Sequence, residues 1–169
     1  MSSLPPDQQT IKEILDAQGI PSCVRRDWDF EYLSVSVPVG SGNSRSVSAR
    51  FGLIPDGVPA LTELPRGRYL CVRIPYFYLW WDDLNKFPQV LQEANSIACS
   101  LLQRDAFLDF FIDYADCDTI FFRMEVPLNA NEALSHAVWD VYHQLTGIAA
   151  AVYAYLETFN DECKEKAGP

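Results

Sequence analysis

The fold is decided by residues 106–128, which read AFLDFFIDYADCDTIFFRMEVPL. Large apolar side chains recur at every second position on both sides of a short acidic turn at residues 115–118, and this period of two predicts an antiparallel hairpin. One side of the hairpin is expected to face the core with Leu108, Phe110, Ile112, Ile120, Phe122 and Met124. The other side mixes Phe107, Phe111 and Phe121 with charged residues, which is unusual for a surface that meets only water.

The same period of two runs through the N-terminal half. It occurs in EYLSVSVPV at residues 31–39 and in RSVSARFGL at residues 45–53, and a shorter strand is expected in SCVRRDW at residues 22–28. The run RYLCVRIPYFYLWW at residues 68–81 predicts a strand at least as far as Pro75. Because proline cannot donate to a β-ladder, that strand ends at Pro75, kinks there, or lies at a sheet edge.

Three helices complete the pattern. The first ends at Gly19, which supplies the left-handed residue after the last turn. An apolar stripe over residues 82–103 predicts a middle helix that begins close to Phe87. The last helix is expected to run from the capping pair Asn129 and Glu132 to about Phe159, with apolar residues on two sides.

These elements predict one domain of class α+β over residues 1–169. Its core extends from about residue 7 to residue 159, and residues 160–169 form a charged tail that is expected to fray. The expected architecture is an antiparallel sheet flanked by an N-terminal helix, a middle helix and a long C-terminal helix.

Charge and composition exclude several classes of function. The 169 residues include 13 Lys and Arg against 23 Asp and Glu, a formal net charge of −10, which argues against binding to nucleic acid or to an anionic membrane surface. The first ten residues lack the basic and apolar regions of a secretory signal, and the longest uncharged stretch near the C-terminus is too short to span a bilayer. A cytoplasmic protein is therefore expected. Most of its five cysteines are expected to be reduced, half-buried apolar residues, because they are far apart, odd in number and contain no C-x-x-C pair.

Residues suited to catalysis or metal binding do not converge in the sequence. His136 and His143 are seven residues apart on one helix, which places them about 10 Å apart along its axis. The acidic residues Asp113, Asp116 and Asp118 lack the spacing and the glycine of an EF-hand loop. The sequence predicts no catalytic residue, no metal site and no cofactor.

Aromatic residues are the most informative candidates for a binding surface, because tyrosine and tryptophan dominate interface hot spots. Half of the aromatic residues in the run at residues 76–81 are explained equally well as part of the hydrophobic core as they are as part of a binding surface. The predicted partner-binding residues are Tyr76, Tyr78, Trp80, Trp81, Phe107, Phe111 and Phe121. On the second apolar side of the last helix, Trp139, Tyr142 and Tyr153 form a possible dimer face.

The order of elements resembles the YbjN-like family, whose fold is shared with class I type III secretion chaperones, and also a related family of cyanobacterial proteins. The resemblance covers residues 11–159. It is seen in IKEILDAQGI at residues 11–20, in VLQEAN with Asn95 ahead of the hairpin, and in the entry to the last helix through Pro127 and Leu128. It implies an α+β domain that dimerises and holds a peptide or protein partner, and it brings no catalytic residues.

Two hypotheses follow. The first is a non-enzymatic, homodimeric, chaperone-like or regulatory protein that binds a polypeptide partner of unknown identity. The alternative is a small-ligand-binding domain or an enzyme with a pocket between the sheet and the C-terminal helix.

Overall fold

The computed structural model describes residues 4–40, 45–54, 67–79, 87–113 and 119–168 of the chain. In chain order the elements are α1 (Pro6–Ala17), β1 (Ser22–Asp27), β2 (Phe30–Val39), β3 (Arg45–Ile54), β4 (Tyr69–Leu79), α2 (Phe87–Leu101), β5 (Phe107–Asp113), β6 (Thr119–Pro127) and α3 (Leu134–Ala167). Within these ranges, no helix combines the length and the apolar character needed to cross a bilayer.

The six strands form one antiparallel sheet in the order β1-β2-β3-β4-β6-β5. With its three flanking helices, this sheet confirms the predicted α+β class. The hairpin at residues 106–128 is present as β5 and β6, with Phe110 opposite Phe122. Because β6 also pairs with β4, the hairpin is joined to the N-terminal strands through β6.

All three helices share one hydrophobic core with a single face of the sheet. Ile11 of α1, Val90 of α2 and Val141 of α3 are fully buried in the same cluster as the alternate strand residues Val35 and Phe122. Helix α3 contacts α2 and strands β2 and β4, and α2 also contacts β5. The opposite side of the sheet, which we call the second face, receives none of the helix side chains in this core.

The first helix ends at Gly19, as the sequence predicted. Gly19 has a φ of 70°, a left-handed conformation that costs glycine little. The amide of Ile20 donates to the carbonyl of Leu15 at 2.9 Å, and the amide of Gly19 donates to that of Asp16 at 3.1 Å. This pair of bonds is a Schellman motif, and it satisfies carbonyls that the end of the helix would otherwise leave unpaired.

The boundaries of the last helix differ from the prediction. The helix begins at Leu134 and not at the pair Asn129 and Glu132, whose contact closes a turn ahead of it. It also continues to Ala167, past the expected end near Phe159, and Cys163 in the expected charged tail is buried. The helix is longer because its final turns have a buried side to pack.

Pro75 kinks its strand without ending it. Strand β4 continues to Leu79, and its pairing with β6 is irregular between Ile74 and Tyr78. The strand lies between β3 and β6, so an edge position is excluded. Since proline has no amide hydrogen to donate, an irregularity at this point lets the strand continue.

Candidate binding surface

A row of arginines crosses the middle of the second face. The strand register places Arg50 of β3 opposite Arg73 of β4, and Arg73 opposite Arg123 of β6. Asp109 of the edge strand β5 continues the row beyond Arg123. Because neighbouring strands lie about 4.8 Å apart, the outer two arginines are about 10 Å apart at the backbone.

Only the central arginine is held by a tight ion pair. Arg73 bonds Glu125, whose side chain is 8% exposed, and it also donates to a backbone carbonyl. Arg50 lies 4.0 Å from Asp27, and Arg123 lies 3.7 Å from Asp109. These two distances exceed hydrogen-bond length, so the outer guanidinium groups keep donors available to a ligand.

The outer two guanidinium groups are instead positioned by aromatic rings. Arg50 lies 4.1 Å from the ring centroid of Tyr32, and Arg123 lies 5.5 Å from that of Phe111. A cation over an aromatic face is favourable, and the ring limits the orientations that the guanidinium adopts. The side chains of Arg50 and Arg123 remain 36% and 47% exposed.

Aromatic residues form the β5–β6 side of the second face. Phe111 and Phe121 are stacked, with ring centroids 4.7 Å apart and planes 22° apart, and both are half-buried. Phe107, on the same face of β5, is 45% exposed. An apolar patch therefore adjoins Arg123 at this end of the row.

Hydroxyl groups form the other side, on strands β1 to β3. Ser34 and Ser48 share a hydrogen bond of 2.5 Å between their hydroxyl oxygens. They belong to a shallow depression of about 280 Å³ whose lining also includes Ser36, Ser46 and Arg25.

The structure places the predicted partner-binding residues in three different settings. Phe107, Phe111 and Phe121 come together on the second face, and Tyr76 is 59% exposed on β4. Tyr78 is only 6% exposed, so it is not available to a partner. Trp80 and Trp81 lie outside the described residues.

Sequence reasoning missed the arginine row. Each arginine was visible in its own strand, but the row exists only because β4 pairs with both β3 and β6. Asp109 and Arg123 lie opposite each other within the hairpin. No local pattern indicates that Arg50 and Arg73 continue the same row.

The residues of the possible dimer face are not equivalent. Trp139 is 43% exposed and contacts the ring of His143, with centroids 4.2 Å apart. Tyr142 is half-buried against the core. Tyr153 packs edge-on against Phe77 and Tyr78 with centroids 6.2 and 5.2 Å away, so its ring is largely engaged inside the fold.

A polar cluster joins β4 to α3. The Tyr78 hydroxyl donates to Glu157 at 2.8 Å and accepts from the amide of Asn160 at 3.3 Å. Burial, followed by the bond to Glu157, raises the pKa of Tyr78. Beside this cluster lies a half-open cavity of about 550 Å³, lined in the described part of the chain by Val39, Gly40, Arg45, Ala150, Tyr153, Ala154 and Glu157.

Side chains suited to catalysis or metal binding do not cluster in the described ranges. No group of three or more His, Cys, Asp or Glu side chains there could hold a metal ion. His136 pairs with Asp140 at 3.7 Å, and His143 contacts Trp139. Cys71 lies on the second face but is buried, and burial raises the pKa of its thiol to about 11. This thiol stays protonated at neutral pH and is a poor nucleophile.

Comparison with known proteins finds a similar fold. The chain is similar to the crystal structure of YbjN from E. coli, with 12% sequence identity and a TM-score of 0.49 over 89% of this chain and 94% of that one. No protein-family model matches the chain, and no curated protein matches it.

Proposed function

We propose that this chain is a non-enzymatic module that binds a polypeptide partner on the second face of its sheet. One observation carries the proposal. Exposed and half-buried aromatic side chains lie beside arginines with available donors, on a face that receives no helix of the described core. Aromatic residues and arginine are the types most enriched at the centres of protein interfaces.

The surface suits an extended polypeptide better than a small molecule. Phe107, Phe111 and Phe121 provide apolar contact area, and the neighbouring arginines provide charged donors across three strands. The depression on this face is shallow, whereas small ligands are usually enclosed on most sides. A chain that runs across the strands could contact the aromatic patch and the arginine row together.

Alanine substitution at the aromatic patch tests the proposal. Tagged protein is used for affinity capture from the native host, and captured proteins are quantified by mass spectrometry. Phe107→Ala combined with Phe111→Ala is expected to reduce the captured partner at least fivefold, because hot-spot truncations commonly cost more than about 1 kcal/mol each.

Leu101→Ala provides the matched control. Leu101 is 40% exposed and Phe107 is 45% exposed, but Leu101 lies on α2 and not on the sheet. Capture should survive this change. Equal loss of capture in both variants, or no loss in the sheet variant while its melting temperature stays normal, would reject the second face as the binding surface.

The homodimer remains part of the proposal, through α3 at Trp139 and Tyr142. A tryptophan exposed on a long helix next to a half-buried tyrosine supports it, because such residues favour protein contacts. Light scattering of the wild type should give twice the 19.1 kDa chain mass, and Trp139→Ala should shift it toward the monomer. A monomeric wild type at tens of micromolar would reject the dimer.

A second candidate function is favoured by the cavity beside α3. It lies between the sheet and the C-terminal helix, as the alternative hypothesis required, and it contains charged and hydroxyl groups from Arg45, Tyr153 and Glu157. Native mass spectrometry of freshly purified protein tests it. A mass in excess of the monomer or the dimer that disappears on denaturation would support a bound small molecule, and native masses equal to whole multiples of the chain mass would count against one.

A further inference from the structure

We infer that the polypeptide bound on the second face is acidic, and that its carboxylates pair with Arg50 and Arg123. The inference rests on the proposed function, because it names the chemistry of the partner for the same surface. It is carried by the arrangement of charge on this face, by the donors of the two arginines and by their spacing.

The second face differs in charge from the rest of the protein. The chain has a net charge of −10, yet this face carries Arg25, Arg50, Arg73 and Arg123. The described strands also place four carboxylate residues at register positions of this face, namely Asp27, Asp109, Asp113 and Glu125. The face is therefore close to neutral in a chain that is strongly acidic as a whole, and an acidic segment would meet less repulsion there than over the rest of the surface.

Arg50 and Arg123 are the arginines that can bind a new carboxylate. Their nearest carboxylates are 4.0 and 3.7 Å away, and each guanidinium lies over an aromatic ring. Arg73 is already bonded to the buried Glu125. A guanidinium held in place by a ring loses less freedom on binding, and its planar fork matches a carboxylate in two parallel hydrogen bonds.

The spacing of the row fits a peptide and not an isolated anion. Side chains on one side of an extended peptide recur about every 6.6 Å, and the backbones of Arg50 and Arg123 are about 10 Å apart. Long arginine side chains can close that difference, so acidic residues at positions i and i+2 would reach both guanidinium groups. A lone anion on this shallow, exposed face would remain hydrated and gain little.

Fluorescence anisotropy with a synthetic probe tests the inference. The probe is a fluorescein-labelled 12-residue peptide of repeating Glu-Leu-Glu-Ser, and the control peptide has glutamine at every glutamate position. The wild type should bind the acidic peptide at least tenfold more tightly than the glutamine peptide. Raising NaCl from 50 to 300 mM should weaken that binding several-fold, because exposed charge pairs are screened.

Substitutions then assign the effect to the row. Arg50→Gln and Arg123→Gln are each expected to weaken binding of the acidic peptide about threefold to tenfold, and Arg50→Lys less than Arg50→Gln. Arg26→Gln is the matched control, since Arg26 is exposed on β1 but its register partner, Glu31, places it on the other side of the sheet. Arg73 is left unchanged because its loss would strand the buried Glu125.

The outcomes separate this inference from the proposed function. Equal binding of both peptides, or binding that both glutamine variants leave unchanged while they remain folded by circular dichroism, would overturn the acidic partner. Failure of the wild type to bind the acidic peptide would overturn it too. If the combined Phe107→Ala and Phe111→Ala variant nevertheless loses capture of the natural partner, the second face stands as a binding surface for a partner of different chemistry.

Discussion

Replacing Phe110 by alanine should destabilise the protein strongly. Phe110 is 2% exposed on the core side of β5, and its ring lies 4.7 Å from that of Phe122 and 5.2 Å from that of Phe77. Truncation removes these contacts and leaves a cavity, at a cost of about 3–5 kcal/mol. For a chain of this length each kcal/mol lowers the melting temperature by about 2–4 °C, so a drop of roughly 6–20 °C is expected.

Thermal and urea unfolding followed by circular dichroism measure this change. With a urea slope of about 2 kcal/mol per molar, a loss of about 4 kcal/mol lowers the midpoint by about 2 M. Phe107→Ala is the control, because Phe107 lies on the same strand but on the second face. Its effect should stay within about 0.5 kcal/mol.

Equal destabilisation by the two substitutions would refute this reasoning. It would mean that Phe107 is packed inside the protein as tightly as Phe110. The second face of β5 would then not be accessible to a partner, and the proposed binding surface would fail with it.

Two further predictions concern the ends of helices. Arg104→Ala should cost about 2 kcal/mol at pH 7, because Arg104 bonds both carboxylate oxygens of Glu132 at 2.8 and 2.9 Å. These bonds lower the pKa of Glu132. The stabilisation is therefore complete above the usual glutamate pKa of about 4.3, and it is lost as the pH falls through the lower pKa of the folded protein. If urea unfolding gave the same difference in stability between the wild type and Arg104→Ala at pH 7 and at pH 3, this reasoning would be contradicted. Gly19→Ala should destabilise the protein by about 1–2 kcal/mol because φ is 70° there. Gly147→Ala, within α3, should instead stabilise it by about 0.5–1 kcal/mol. Melting temperatures that moved in the same direction for both variants would refute these opposite predictions.

The elements that local patterns determine were predicted well. Alternation around Phe110 and Phe122 identified the hairpin, because a strand with one buried face must repeat every two residues. Gly19 marked the end of α1 because few other residues adopt a left-handed conformation cheaply. Such signals lie within a few residues of the feature that they predict.

The features that depend on distant residues were missed. The start of α3 is displaced because Glu132 bonds Arg104 from another part of the chain, and its end is extended because Asn160 is buried against Tyr78. The irregularity after Pro75 breaks the alternation, so that Phe77 and Tyr78 are consecutive and both buried. Sequence alone therefore gave no reason to remove Tyr78 from the predicted binding surface.

The candidate surface also combines residues that local patterns predict with residues that only distant parts of the chain bring together. Phe107, Phe111 and Phe121 were predicted from alternation within one hairpin, whereas the arginine row needs the order of strands from different parts of the sequence. Strand order is a property of the whole sheet. It was not predictable from the spacing of residues within any one strand.

Site-specific photo-crosslinking in the native host tests the central claim most directly. The photoreactive residue p-benzoylphenylalanine would replace Phe107 or Phe121 on the second face, and Trp139 on α3 as the comparison. The account predicts that positions 107 and 121 give adducts with the same one or few polypeptides, and that position 139 gives no adduct with them. Adducts with those polypeptides from position 139 alone, or none from the sheet positions in a folded protein, would contradict it.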